Sequence, residues 1–497
     1  MRHLCASAVI IVLVLGVLSV PRSVGQTLAR VGQTPARMRQ TPAPVPSPGD
    51  TSKALGVAGS NVQRFFYIGV ESCGASTCHG SATPRTALRS GIRQTEYTQW
   101  LTTDKHAKAY EVLLKDRSKE MARNLKMTEP PSKSDRCLVC HALEAPKELR
   151  SASYKIEDGV GCETCHGQAE GWLGIHIGHG RTASLPVGMY DTRNLVKRAE
   201  KCVSCHVGDD TRSVDHELIA AGHPDLVFDF ETYTARLPPH WRPAPSDGVG
   251  GRAWAVGQVV ALRESLKRLA RRTQQRAATA WPEFAEFECF ACHHDVNNID
   301  STYYRRGEAN RLLEGAPWDI SWRQQRGYPG VAGIPPWNPA RYFVLRQLVQ
   351  ALAPESRAIL DQELNTVSTL MAKVGASDPA QIAAAANRAA QVAESLLSRV
   401  ASLEMNPELA STVLRNITSD SASIAGAGVR VAEQATMAIE TFVPVARKSG
   451  KPLAQEPVVM GALRKLSQAV EKPEEYDRQQ FEQFATQMQA IHSFLTQ

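Results

Sequence analysis

The 497-residue sequence predicts a mainly α-helical protein, with short helices and loops up to about residue 340 and a helical bundle beyond it. Two observations lead there. One phrase recurs as Cys137-Leu-Val-Cys140-His141, Cys162-Glu-Thr-Cys165-His166, Cys202-Val-Ser-Cys205-His206 and Cys289-Phe-Ala-Cys292-His293, and its spacing of i, i+3 and i+4 puts three side chains on one face of a helical turn. From about Arg341 onward cysteine is absent, and Ile382, Ala386, Ala389, Ala393, Leu396 and Val400 recur at helical spacing.

The Cys-x-x-Cys-His order is the attachment signature of c-type haem, in which two thiols add to the haem vinyl groups and the adjacent imidazole ligates the iron. The thioether donors are thus Cys137, Cys140, Cys162, Cys165, Cys202, Cys205, Cys289 and Cys292, and the proximal ligands are His141, His166, His206 and His293. A looser copy, Cys73-Gly-Ala-Ser-Thr-Cys78-His79, precedes them. Cys73 and Cys78 are five apart and do not share a helical face, so the extra residues must bulge. This copy is read as a fifth haem c site, with a local disulfide as the alternative. Zinc ribbons, redox pairs and plain disulfides use similar cysteine spacings, but none requires histidine after every second cysteine. Histidine is only 14 of the residues, yet it follows all five pairs.

The haem reading also accounts for composition and charge. Aromatic residues make up only 6% of a chain that is 43% hydrophobic, so flat porphyrins would supply missing apolar surface. The formal charge is +7, and Arg2 and Arg22 lie in a leader. Each ferric haem with ionised propionates adds about −1, which brings a five-haem protein close to neutral. The basic balance therefore gives no ground for a nucleic-acid partner.

Residues 1–25 read as a signal peptide: a short positive start at Arg2, an apolar run from Leu4 to Val20, and small residues at Ser23 and Gly25. The run is short for a membrane span, so no transmembrane segment is expected after cleavage, and the protein is placed in the periplasm or otherwise exported. Residues 26–60 are a proline-rich disordered linker. Residues 61–340 form the haem domain, with about 44 residues per cofactor between Cys73 and His294, far fewer than the ~100 of an ordinary domain. The haems must then be its core. Residues 341–497 are a haem-free bundle of about four helices, in which Asp378-Pro379 and Asn406-Pro407 mark helix starts. It serves packing, oligomerisation or assembly into a complex.

Distal iron ligands are sought among the other histidines of the haem region. The nominated residues are His106, His176, His216, His223, His240 and His294, with His179 as a spare. His106 sits in a helix-like stretch, Trp100 to Leu114, where Tyr110 and Leu113 share its face. His223 precedes Pro224 and stands at a helix end. His294 adjoins His293, so it could reach only a neighbouring iron. Ala255 to Arg276 reads as a basic amphipathic helix, either a solvated face packed on the haem domain or else a docking surface for an acidic redox protein or a screen for propionates.

Several phrases together resemble the multihaem cytochromes of the cytochrome c-554 and hydroxylamine oxidoreductase superfamily. They are Trp100 to Tyr110 around His106, Gly161-Cys-Glu-Thr-Cys-His-Gly167 followed by Trp172 and His176, Ala220-Ala-Gly-His-Pro224, and Cys289-Phe-Ala-Cys-His-His294 followed by Ser321-Trp-Arg-Gln324. The resemblance implies a compact helical protein with haems in stacked and near-perpendicular pairs, mostly bis-histidine ligated, that transfers electrons at low potential. Some members of this group carry one open iron that does chemistry. The chain departs from the group in its Cys-x-x-x-x-Cys-His copy and its long haem-free tail, and it has no Cys-x-x-Cys-Lys phrase.

The sequence is therefore read as an exported five-haem electron-transfer protein acting with redox partner proteins. The alternative is a reductase or oxidase of small nitrogen or sulfur compounds that uses one five-coordinate haem.

Overall fold

The computed structural model describes residues 64–85, 92–209, 211–240, 250–276, 281–288, 336–472 and 478–497, all within one compact unit. The leader, the proline-rich linker, Cys289, Cys292, His293, His294 and the Trp318 to Trp322 stretch lie outside the described residues. The fold is mainly helical, as expected. Among the described residues its one strand pairing is the two-residue ribbon of β1 (Arg447–Lys448) and β2 (Lys451–Pro452).

The first half is built from short pieces. They are α1 (Glu96–Thr103), α2 (Asp116–Asn124), α3 (Asp135–His141), α4 (Cys162–His166), α5 (Leu173–Ser184), α6 (Leu195–Val203), α7 (His216–Ala220) and α8 (Phe230–Arg236), joined by 3₁₀ turns. The only apolar cluster wholly within this region, among the described residues, is Leu113, Leu138 and Ala142 with their neighbours. Trp100 to Leu114 is not one helix. Asp104 interrupts it: its side chain accepts from the His106 N–H and starts a new turn, the competition with the helix ladder that aspartate makes at a cap.

The long helix α9 (Gly251–Gln274) is the centre of the main core, packed along α12 (Pro379–Ala401) and against α6 and α8. The close approach of α8 depends on Gly257, where an added Cβ would meet the Phe230 Cβ at 2.3 Å. The tail contributes α10 (Leu345–Leu352), α11 (Pro354–Ala372), α12, α13 (Pro407–Ser419), α14 (Ser421–Ala425), α15 (Val429–Phe442), α16 (Pro457–Ala469) and α17 (Arg478–Thr496), rather than the four helices expected. Prolines at 354, 407 and 457 each open a new helix, which divides the apolar pattern more finely than periodicity alone indicates. Asp378 and Asn406 cap their helices as expected, and the stripe from Ile382 to Val400 is buried.

The basic amphipathic reading of residues 255–276 needs correction. Eighteen of the 24 residues of α9 are buried, and its arginines are structural. Arg263, with a side chain 5% exposed, binds Glu200 of α6 at 2.7 Å, Glu264 at 2.6 Å and Glu394 of α12 at 2.8 Å. Arg268 and Arg272 hold the buried Glu286 at 2.9 and 3.0 Å. These three arginines tie layers together, whereas Lys267 and Arg276 of the same stretch are exposed. Among the described residues no helix is long and apolar enough to cross a membrane.

Candidate functional site

Two attachment phrases have the local geometry that their spacing dictates. Cys137, Cys140 and His141 occupy α3, and Cys162, Cys165 and His166 are α4 itself. The latter ends at Gly167, whose φ of 82° and whose Cβ position 2.6 Å from the Gly188 carbonyl both require glycine. The third phrase departs from this form. Cys202 ends α6, whereas Cys205 and His206 lie in a wider π turn over Ser204–Gly208. In the looser copy Cys73 closes a 3₁₀ turn, the extra residues form a tight turn, and the His79 N–H returns to the Cys73 carbonyl at 3.2 Å. The bulge thereby restores the contact that a regular helical turn makes directly. No disulfide joins any of the eight described cysteines of these phrases, Cys73 and Cys78 included.

Proximal and nominated distal histidines come together in pairs. The His79 and His176 ring centroids are 6.3 Å apart, those of His141 and His223 6.3 Å, and those of His206 and His106 6.1 Å. Two first-row metal–imidazole bonds of about 2 Å each put the centroids of opposed rings roughly 6 Å apart, so these pairs fit an iron held between them. Each pair unites histidines distant in sequence. Among the described residues no three or more His, Cys, Asp or Glu side chains gather around a bare metal ion, the arrangement a zinc site would need.

Hydrogen bonds orient the rings. Nδ1 of His79 meets Glu96 Oε2 at 2.9 Å, and Nδ1 of His106 meets Asp104 Oδ1 at 3.0 Å. Nδ1 of His141, His176 and His223 donates to the carbonyls of Ala109, Leu173 and Pro224 at 2.9, 2.5 and 2.7 Å. In all five rings Nδ1 is engaged and Nε2 is the nitrogen left to ligate a metal, which is the second-shell logic of metal-binding imidazoles. His206 is fixed by packing, with Phe228 stacked on it at 4.9 Å and Tyr233 edge-on at 5.5 Å.

Electrostatics favours the neutral, ligating form at the most enclosed rings. Burial, then the neighbouring His240, His79 and His176, push His166 down to about 4, and burial with His106 nearby does the same to His206. The Glu96 and Asp104 hydrogen bonds act the other way, raising His79 and His106. His240 therefore lies close enough to His166 to affect its charge. His216 opens α7 and packs edge-on against Phe284 at 5.7 Å. His179 is exposed, consistent with its place as a spare.

The attachment sites also meet one another. Cys73 and Cys162 lie close enough to perturb each other, as do Cys140 and Cys205, which lowers Cys73 and Cys205 and raises Cys162 and Cys140. Burial lifts Cys165 to about 11 and Cys202 to about 12, with the charge of Cys205 adding to the first and that of Cys165 to the second.

Three functional carboxylates escaped the sequence reading. Glu96 and Asp104 orient imidazoles, and Glu163, inside its own Cys-x-x-Cys pair, is 3% exposed and accepts the N–H groups of Ile68, Gly69 and Ala169 at 3.1, 2.8 and 2.8 Å. It thus ties the segment leading to Cys73 onto α4. Asp two residues before His106 is an Asx-turn signal that could have been recognised; for Glu163 no local pattern announces a bond to residues 95 positions away.

No curated protein and no solved structure matches the chain. The family model described as cytochrome c554 and c-prime matches residues 72–167, the segment that carries Cys73 to His79, His106 and the phrases ending at His141 and His166, so over that segment the chain resembles a c-type cytochrome.

Proposed function

We propose that the protein is an exported c-type cytochrome that carries five haems and passes electrons between redox partner proteins. The observation that carries this reading is the set of three opposed imidazole pairs at 6.1–6.3 Å, each joining a thiol-flanked histidine to a distant one. Haem supplies the one-electron couple. The protein's part is to hold each cofactor by two cysteines and to fill both axial positions, which leaves no place for a substrate.

The remaining two distal ligands are assigned from proximity and by elimination. His240 is the distal partner of His166, on the strength of its electrostatic contact there. His216 is the nominated histidine left for the site of Cys289, Cys292 and His293. The mutual perturbation of Cys73 with Cys162 and of Cys140 with Cys205 supports neighbouring sites at His79 and His166 and at His141 and His206. Sites this near one another would suit short-range electron transfer. The sparse apolar core of residues 64–240 supports the same reading, since porphyrins would fill what side chains do not.

The test is a haem count on the mature protein, by pyridine haemochrome and intact mass, together with its ferric spin state. Five haems and an all-low-spin spectrum that is inert to nitrite, hydroxylamine and carbon monoxide are expected. A high-spin component that shifts on adding one of these molecules would replace electron transfer with catalysis at an open iron. Four haems would leave Cys73 and Cys78 outside the attachment set.

A further inference from the structure

The three imidazole pairs differ in what their Nδ1 atoms meet. His79 and His106 meet carboxylates, Glu96 at 2.9 Å and Asp104 at 3.0 Å, with these acid side chains only 15% and 5% exposed. Both acids are held in place independently: Glu96 Oε1 accepts the Arg93 N–H at 2.6 Å, and Asp104 Oδ1 also accepts the His106 N–H at 2.9 Å. The His141 and His223 rings donate instead to neutral carbonyls, those of Ala109 and Pro224.

We propose that Glu96 and Asp104 are positioning residues that lower the reduction potentials of the His79/His176 and His206/His106 sites, so that electrons settle on the His141/His223 site. The proposal rests on the haem reading above. A carboxylate accepting the Nδ1 proton shifts negative charge onto the ring and strengthens Nε2 as a donor, which stabilises ferric over ferrous iron; a carbonyl does so less. A partly buried carboxylate also acts through a lower effective dielectric than an exposed one. Arg212 donates to the Val139 carbonyl at 3.0 Å and to Asp209 Oδ2 at 2.8 Å, which holds the His141 phrase beside the His206 phrase. An electron that reduced the latter would pass to the former, reoxidising the first site and reducing the second, with no other reactant needed.

The experiment uses the full-length, haem-loaded protein and its Glu96→Gln and Asp104→Asn variants, with Glu111→Gln, an exposed carboxylate on neither ring, as the control for charge alone. Haem content and spin state are measured first, then midpoint potentials by optical spectroelectrochemistry. Each variant is expected to raise a different single midpoint by at least a tenfold change in the oxidised-to-reduced ratio, about 59 mV for one electron. Glu96→Asp and Asp104→Glu, which keep the charge, should recover part of the shift, and the control should move nothing. Unchanged midpoints with full haem content overturn the proposal and leave the haem reading intact. A wild-type protein without covalent haem overturns the reading itself. If the variants lose haem, nitrogen NMR of histidine-labelled ferrous wild type decides: two Nδ1 protons displaced by strong carboxylate hydrogen bonds support the proposal, and none so displaced overturns it.

Discussion

The His79 and His176 imidazoles face each other at 6.3 Å with planes 13° apart, whereas His141 and His223, at the same separation, are crossed at 84°. His206 and His106 are crossed at 83°. Parallel rings donate π density along one direction and split the iron d orbitals, while crossed rings leave them nearly equal. Electron paramagnetic resonance of the ferric protein should therefore show one rhombic low-spin signal from the His79 site and strongly anisotropic, large-g signals from the other two. His176→Ala should convert only the rhombic signal to high spin, and His223→Ala only an anisotropic one. Loss of all low-spin signals together in either variant would refute the assignment of pairs.

Glu163 accepts three backbone N–H groups at the join between the Cys73 segment and α4. Glu163→Ala leaves these donors in a buried site, at a cost of roughly 2–4 kcal/mol. Glu163→Gln keeps one acceptor oxygen and should cost less. Denaturant midpoints of the two variants check the order, and proteolysis near residue 68 should rise more in the alanine variant.

Glu231 is buried, its Oε2 lacks a hydrogen-bond partner, and burial, with Asp229 close by, raises its carboxyl to about 7. The folded state thus holds a proton that the unfolded chain, near pKa 4.3, releases. This group's contribution to stability is complete below about pH 4, declines as pH rises to about 7, and is flat beyond, a loss of roughly 3 kcal/mol. Glu231→Gln should remove that slope and be the more stable form above pH 7. Equal pH dependence of unfolding in the two proteins would contradict this.

Helix α9 buries Val256, Val259, Val260, Leu262 and Leu266 in a core shared with α12 and its neighbours. Truncation after Pro339 would expose this apolar surface and strip Arg263 of Glu394. The shortened protein should therefore aggregate, or bind a hydrophobic dye such as ANS, rather than persist as a compact haem domain. A soluble, dye-inert truncation product with cooperative unfolding would show that the tail is dispensable to the fold.

Legibility in the sequence followed the range of the interactions concerned. The helix starts at Asp378 and Asn406 and the buried stripe from Ile382 to Val400 depend on neighbours within a few residues, and each was readable. The break at Asp104 is equally local but was hidden by an apolar pattern that ran through it. The charges of α9 misled for a different reason. Arg263, Arg268 and Arg272 look solvated in sequence, but their carboxylate partners Glu200, Glu286 and Glu394 lie outside the helix, 14 to 131 residues away along the chain.

The sequence by itself nominated the attachment chemistry, because two thiols and an imidazole within five or seven residues can converge on one cofactor with little help from the rest of the chain. It also nominated the distal histidines. Only the tertiary structure decided which histidine faces which, which rings are crossed, and which carboxylates stand behind them. Those relations join residues such as His79 and His176 across the fold, through loops whose closure depends on packing rather than on local pattern.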